Sequence, residues 1–494
     1  MTDSQIWPFN LPGSGNDAIS LSTGDLDQSL FREYDIRGRV NDGRLGDVYP
    51  LNEFSANRIG RAFGSLLVDQ GISEVVVGYD ARSYSEMLAN AVTVGLLSTG
   101  VDVVFLGLAT TPLVYFAQHE LGGTAGICVT ASHNPNGWSG FKLSNRPSVT
   151  LGPEEIAEVA DRAAKGNFSR GQGRYREQSL TEAYANYIAS ALPAPRPLKV
   201  AIDGGNSIAG PIAELALKGA GYDVITLNRE LDWTFPNHEP DPESTASRAQ
   251  IQEAVVKHGA HCGISFDGDG DRLGVTDGAG NIVWADAILA LLAEEVLRRR
   301  PGAPIVYDVK CSRMVTEVIE RAGGTPVMTK TGHSHIKSKM RDVKAPFAGE
   351  RSGHFFFADG YLGYDDAIYA ALRLLSVIGA DQRDFATIVA DLPHYEGTPT
   401  MHAECADSDK YRVVEDFARY AESLNPREIV RINGVRVEFD DGWLLVRASS
   451  NMPALVILAE ANSGSRLFEL YQMLRTGLSR SPEVASDWLN DPWK

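Results

Sequence analysis

Val75-Val76-Val77-Gly78-Tyr79-Asp80 is a short apolar run that ends in an aspartate. A small or polar turn follows it, then an amphipathic helix through Leu96, a stop at Gly100 and a second apolar run over Val101–Leu106. The same succession begins again at Lys199-Val200-Ala201-Ile202-Asp203, with a helix across Ala213–Lys218, then Gly219-Ala220-Gly221 and a strand at Val224–Leu227. It begins a third time at Pro304-Ile305-Val306-Tyr307-Asp308, with a helix over Met314–Arg321, then Gly323-Gly324 and a strand at Pro326–Thr329. Apolar runs that alternate with helical segments mark βαβ units on mostly parallel sheets. Recurrence at spacings of roughly a hundred residues means three related α/β domains, since solenoid repeats are far shorter.

After Pro393 the texture changes: Ile429–Phe439 alternates, Trp443–Arg447 is another strand, and Ser465–Leu474 is a helix. The expected fold is therefore α/β, three related domains of mixed sheet with flanking helices plus a smaller C-terminal α+β domain, around a central cleft. The expected boundaries are a loose leader at 1–25, then domains at 26–178, 179–282, 283–393 and 394–494.

The 494 residues exceed one compact core and fit about three or four domains. A net charge of −18 argues against nucleic acid, which requires a basic footprint, and means that any anionic ligand is captured by a local cluster of cations. Cys128, Cys262, Cys311 and Cys405 form no CxxC pair and read as reduced thiols without a zinc site. The first twenty residues are polar and partly acidic, unlike a signal peptide, and no apolar run is long enough to span a bilayer. A soluble cytoplasmic protein with no membrane partner is expected.

Asp267-Gly268-Asp269-Gly270-Asp271-Arg272 carries the most specific chemistry. Three carboxylates this close repel one another, and a hard divalent cation such as Mg²⁺ removes the objection. The intervening glycines let the backbone wrap so that the carboxylates converge. A solvated acidic hairpin is the alternative. A calcium EF-hand loop fits less well, with Arg272 where glycine and Gly278 where glutamate belongs.

Thr130-Ala131-Ser132-His133-Asn134-Pro135 follows the apolar run Ala125–Val129, which places an exposed loop hydroxyl beside a histidine, or an ordinary polar turn. The G-x-S-x-G surroundings of an acyl-transfer serine are absent. Lys142 follows at the end of Gly137-Trp138-Ser139-Gly140-Phe141. Phe31-Arg32-Glu33-Tyr34-Asp35-Ile36-Arg37-Gly38 reads as a strand edge with an Asp35–Arg37 pair. Lys330-Thr331-Gly332-His333-Ser334 follows a strand, and Gly349-Glu350-Arg351-Ser352-Gly353-His354 offers the mixed donors and acceptors that sugar hydroxyls need. Arg447-Ala448-Ser449-Ser450-Asn451 suits a phosphate, a guanidinium fork with short polar side chains beside it, or else a capped strand-to-helix turn.

With these motifs in this order, the chain resembles the α-D-phosphohexomutases, nearest the phosphomannomutase/phosphoglucomutase branch. The resemblance runs from about Phe31 to the last domain and rests on four separated motifs, Thr130–Pro135, Asp267–Arg272, Gly349–His354 and Arg447–Asn451, joined by Phe31–Gly38, Asn237-His238 with Pro240-Asp241-Pro242, and Lys330–Ser334. It implies that Ser132 carries a phosphoryl group and, with Asp267, Asp269 and Asp271, holds Mg²⁺. It further implies that phosphate moves between O1 and O6 of a hexose through a hexose 1,6-bisphosphate, which also serves as activator. Arg37, His133, Lys142 and Arg272 would surround the transferring group, and His333 and His354 are the general base and acid in either assignment. Glu350, Arg351, Ser352 and Gly353 would hold the sugar, and Tyr34, Lys310, Arg447, Ser449, Ser450 and Asn451 the other phosphate.

Two departures from the family pattern stand out. The phosphate loop usually reads Arg-x-Ser-Asn-Thr or Arg-x-Ser-Gly-Thr, and Arg351 stands where Met is common in the dual-specificity branch and Gln in many phosphoglucosamine mutases. Phosphoglucosamine mutase, a Mg²⁺-dependent sugar phosphatase and a sugar-phosphate sensor are the alternatives, and monomer or homodimer stays open.

Overall fold

The structure, a computed structural model, describes residues 26–33, 35–40, 49–450 and 452–486. The expected leader, Tyr34 and Asn451 lie outside the described residues. The chain divides into two compact units, Met1–Ile282 with Tyr364–Gln382, and Val283–Gly363 with Arg383–Lys494.

In the first unit, Glu74–Tyr79 lies inside a seven-stranded sheet. Asp102–Leu108 pairs with it in parallel on one side and Ala125–Val129 in parallel on the other. Trp138–Arg146 then runs antiparallel to Ala125–Val129, and Ile36–Arg39 adds the edge. The same unit holds a five-stranded sheet of the same plan. There Lys199–Asp203 is flanked in parallel by Asp223–Leu227 and Cys262–Phe266, and Leu273–Asp277 runs antiparallel beyond. The four-stranded sheet of the second unit repeats it, with Pro304–Asp308 between Thr325–Thr329 and Phe347–Gly349, and Phe355–Phe357 antiparallel. The central strands read as continuous apolar runs because both faces are covered; Val75, Val76 and Val77 are fully buried.

The serine, metal and sugar motifs consequently occupy one topological place. Each joins the third parallel strand to the antiparallel strand of its own sheet, at the carboxyl end where such sheets bind ligands.

The last domain is a six-stranded antiparallel sheet. Leu444, Val446 and Ile457 pack under the helices Lys410–Glu422 and Gly464–Leu478, whereas Trp443, Leu445 and Leu458 pack on Val309 of the preceding domain. Strand alternation thus serves two cores. Ile429–Phe439, expected as one strand, is two, Glu428–Val430 and Val435–Phe439, because Gly434 turns between them at φ +84°. Among the described residues no helix is long and apolar enough to cross a membrane.

The strand-ending aspartates are buried fasteners. Asp80 Oδ2 accepts from Thr130 Oγ1 at 2.9 Å and Ala131 N at 3.3 Å, and its carboxylate pairs with Arg82. Arg82 in turn donates to the carbonyls of Ser132 (3.0 Å) and Asn134 (2.6 Å). Asp308 does the same for the sugar loop, accepting from Arg351 N at 3.1 Å and Thr331 Oγ1 at 2.7 Å. Removing one partner of such a buried pair strands the other charge. Asp80→Ala should therefore cost about 3–5 kcal/mol of stability in urea denaturation, far beyond the effect of removing Asp161 from its exposed pair with Lys165.

Candidate active site

The serine loop and the metal loop meet in the first unit. Ser132 Oγ donates to Asp267 Oδ2 at 2.6 Å, and His133 Nδ1 lies 3.2 Å from the same hydroxyl. Ser132 was expected as an exposed hydroxyl. It is instead 3% exposed, because its partner loop closes over it. It also adopts φ +52°, a conformation uncommon outside glycine and frequent at functional sites. The loops approach closely: a Cβ on Gly268 would lie 2.5 Å from the Ser132 carbonyl oxygen. Gly270 sits at φ +76°, so the two glycines meet the two separate demands of contact and turn.

Asp267, Asp269 and Asp271 are fully buried, and one oxygen from each lies within 4.8 Å of the others. Backbone N–H groups of Asp271 and Arg272 donate to Asp267 Oδ1 at 3.0 and 3.1 Å. Thr111 Oγ1 donates to Asp269 Oδ2 at 2.6 Å, and Lys142 Nζ donates to the same oxygen at 2.7 Å and to Asp271 Oδ2. Burial works against the Lys142 charge, but Asp269 and Asp271 outweigh it and hold the ammonium well above its usual range. Burial, with the like charges of Asp271 and Asp269, pushes Asp267 well above the usual carboxylate range. The Asp269 carboxyl is held below it, where Lys142 and Thr111 outweigh burial and Asp271. Asp269 Oδ1 is buried without a hydrogen-bond partner. An oxygen-only set with surplus negative charge and an orphaned carboxylate oxygen fits a hard divalent cation.

Arg37 belongs to the same surroundings, donating to Asn134 Oδ1 at 2.8 Å and pairing with Asp35 at 3.3 Å. The Arg272 guanidinium stays charged, as burial is outweighed by Asp267, Asp271, Asp241 and Glu243.

The second unit gathers the sugar motif and its neighbours. Glu350 Oε1 accepts from Gly332 N at 2.6 Å and Oε2 from Ser352 Oγ at 3.1 Å, while Gly353 N closes the turn on Glu350 O at 3.0 Å. Glu350 thus ties the His333 segment to the sugar loop. The His333 and His354 ring centroids lie 6.5 Å apart, with both residues buried. Arg351 turns its guanidinium to Asp286 at 2.9 Å, and Lys310 pairs with Asp308 at 3.5 Å. In the phosphate motif, Arg447 is buried, with Nη2 3.4 Å from Ser450 Oγ and Nε unpartnered. Ser449 Oγ accepts from Met452 N at 3.2 Å, which gives this loop an internal cap.

Sequence reading took Asp80 only as a strand end and passed over Arg82, Thr111 and Asp286. A signal existed for Thr111: Thr110-Thr111-Pro112 opens a helix directly after a strand, with Thr110 as N-cap. Asp286 left none, since its role depends on Arg351.

The comparisons match this architecture over nearly the whole chain. The family models for phosphoglucomutase/phosphomannomutase α/β/α domains I, II and III match residues 28–170, 181–280 and 284–395, and that for the C-terminal domain matches 401–476. The chain belongs to this family, the α-D-phosphohexomutases. It is 38% identical over 460 residues to the phosphomannomutase/phosphoglucomutase of Pseudomonas putida, covering 93% of this chain and 97% of that protein. It is 36% identical to a phosphoglucomutase of Neisseria gonorrhoeae, covering 93% and 98%. A solved phosphoglucomutase/phosphomannomutase family protein from Burkholderia thailandensis superposes with a TM-score of 0.86 at 36% identity, covering 93% of this chain and 99% of the other.

The raised Asp267 carboxyl fixes the sign of a pH effect. Without a cation the folded state holds this proton where the unfolded chain has released it, so stability falls as pH rises above the ordinary carboxylate range. Asp267→Asn removes that repulsion. Metal-free Asp267→Asn should melt above the metal-free wild type at pH 8, with the gap closing at low pH, and added Mg²⁺ should raise the wild type only.

Proposed function

We propose that this chain is a hexose phosphate mutase that interconverts hexose 1-phosphate and hexose 6-phosphate of mannose, glucose or both. The observation that carries this reading is the Ser132 hydroxyl seated at 2.6 Å on one of three buried aspartates that need a cation. The relatives named as phosphomannomutase/phosphoglucomutase and phosphoglucomutase support the sugar class.

Phosphorylated Ser132 is the donor. Its P–Oγ bond breaks as a hydroxyl oxygen of the hexose monophosphate forms the new P–O bond, and the hydroxyl proton passes to His333 or His354. The Ser132 alkoxide then takes the other phosphate of the resulting hexose 1,6-bisphosphate, whose P–O bond to the sugar breaks as the same histidine returns its proton to the sugar oxygen, so no water is consumed. Ser132, Asp267, Asp269 and Asp271 would hold Mg²⁺, which supplies charge neutralisation to the transferring phosphate. Arg37, Arg272 and Lys142 balance the surrounding charge, and Lys142 keeps Asp269 and Asp271 compensated. His133 orients the serine hydroxyl. Glu350, Ser352 and Gly353 present a sugar-binding turn whose far side Arg351 anchors through Asp286. Lys310, Arg447, Ser449 and Ser450, with Tyr34 and Asn451, take the phosphate that does not react. Arg447 Nε has no hydrogen-bond partner of its own to give up for it.

Phosphorus NMR tests the reaction, with Mg²⁺, a trace of glucose 1,6-bisphosphate, and mannose, glucose or glucosamine 1-phosphate in separate tubes. A 6-phosphate signal should grow from the mannose or glucose compound without inorganic phosphate. Inorganic phosphate at the rate of substrate loss would make the protein a phosphatase, and no change would leave a binding protein. Ser132→Ala should lower turnover by several orders of magnitude with the fold intact; near-normal activity would remove the serine from the reaction.

A further inference from the structure

Asn237-His238-Glu239-Pro240-Asp241-Pro242 is a family-like motif to which the reaction above gives no role. In the first unit it is wedged among three loops. Beneath it lies the Gly204–Asn206 turn: a Cβ on Gly205 would sit 3.2 Å from Pro240, and Asn237 Nδ2 donates to Asn206 Oδ1 at 2.9 Å. On the metal-loop side, Pro240 would meet a Cβ on Gly268 at 3.3 Å, and Pro242 one on Gly274, just past the loop, at 2.7 Å. On the serine-loop side, the N–H of Asn136 donates to the Glu239 carboxylate, and Arg82, which holds the Ser132 and Asn134 carbonyls, lies 5.3 Å over the Phe235 ring.

The root of the wedge is His238. Its Nε2 lies 2.8 Å from Asp203 Oδ2 and its Nδ1 lies 2.7 Å from the Glu239 carbonyl, both acceptors, with Asn228 Nδ2 3.2 Å from Nε2. Burial works against a charge on this ring, but the Asp203 carboxylate and the Glu239 carbonyl outweigh it and raise the imidazole above its usual range. Asp203 is well supplied to match it, accepting also from Gly205 N at 3.0 Å, Asn228 Nδ2 at 2.9 Å and Ser247 Oγ at 3.3 Å. The histidine side chain is 2% exposed and that of Asp203 1%, so the pair is shielded from water. Pro236, Pro240 and Pro242 lie within the segment, and their fixed φ makes it stiff between its root and its tips.

We propose that residues 235–242 are a positioning element that sets the spacing of the Ser132 loop against the metal loop, rooted in the His238–Asp203 ion pair. This rests on the reading of Ser132 and the three aspartates as the reacting centre. The segment reaches Gly268 through Pro240, the Asn136 N–H through Glu239 and the Arg272 charge through Asp241, and it acts by holding Gly268 and Asn136 where they are.

The test uses the full-length protein with His238→Gln and, should that variant not fold, Pro240→Ala, which keeps the ion pair and trims only the ring against Gly268. Mn²⁺ binding followed by electron paramagnetic resonance reads the metal loop, and steady-state kinetics with mannose 1-phosphate reads the reaction. Supporting residues of this kind cost roughly 10–100-fold in metal affinity or activity when replaced. His238→Gln should weaken Mn²⁺ binding and lower kcat by about tenfold or more, with KM within about twofold, since the sugar and the resting phosphate are held elsewhere. Pro240→Ala should move both in the same direction by less. A lower melting temperature with Mn²⁺ affinity and kcat per folded molecule unchanged in both variants would reduce the segment to a structural brace and overturn the proposal. Wild type without mutase turnover would refute the function instead, while the Mn²⁺ arm would still report on the positioning.

Discussion

Three carboxylates packed at one fully buried point form an arrangement that a folded chain does not tolerate unaided. Much of the first unit is organised around making that point tolerable. Lys142 brings an ammonium to Asp269 and Asp271, Thr111 gives Asp269 a hydroxyl, and two backbone N–H groups and Ser132 satisfy Asp267. These donors come from the loops after two strands, from the middle of Trp138–Arg146 and from a helix start, so the two α/β domains that supply them are bound to one another by the same charges. Asp269 Oδ1 remains without a partner. That residue of unsatisfied negative charge suits a hard cation, which would gain there what the fold has already spent in desolvation.

The three α/β domains solve the placement of loops once and use the solution three times. In each, an Asp-terminated strand lies between two parallel neighbours, and the loop that carries chemistry leaves the third parallel strand. Asp80 and Asp308 fasten that loop directly, through Thr130 and through the Arg351 backbone. Asp203 reaches instead for His238, and the metal loop is backed by prolines. One topological position thus accommodates a hydroxyl, a carboxylate cluster and the Gly349–His354 turn, as fixed strand ends permit variation in the loops they carry.

Features that depend on neighbours in sequence were legible from the sequence. The apolar runs ending in Asp80, Asp203 and Asp308 declared strands because side-chain burial on both faces leaves a continuous pattern. Asp267–Arg272 announced convergent carboxylates because charge and glycine alternate over six residues, and the three aspartates do converge, fully buried. Other features depend on partners far along the chain. The burial of Ser132 comes from Asp267, 135 positions away, and Thr111 earns its place only through Asp269, 158 positions away. Ile429–Phe439 misled because the reading passed over Asn433-Gly434, a hairpin signal in the sequence itself, where Gly434 turns at φ +84° and the apolar positions change phase.

The most direct measurement follows the phosphoryl group itself. Protein incubated with hexose 1,6-bisphosphate labelled in phosphorus, then digested and read by mass spectrometry, should carry the label on Ser132 alone. A chase with unlabelled mannose 1-phosphate should return it to sugar phosphate at the rate of turnover. Label on another residue, or label on Ser132 that leaves only as inorganic phosphate, would contradict the account.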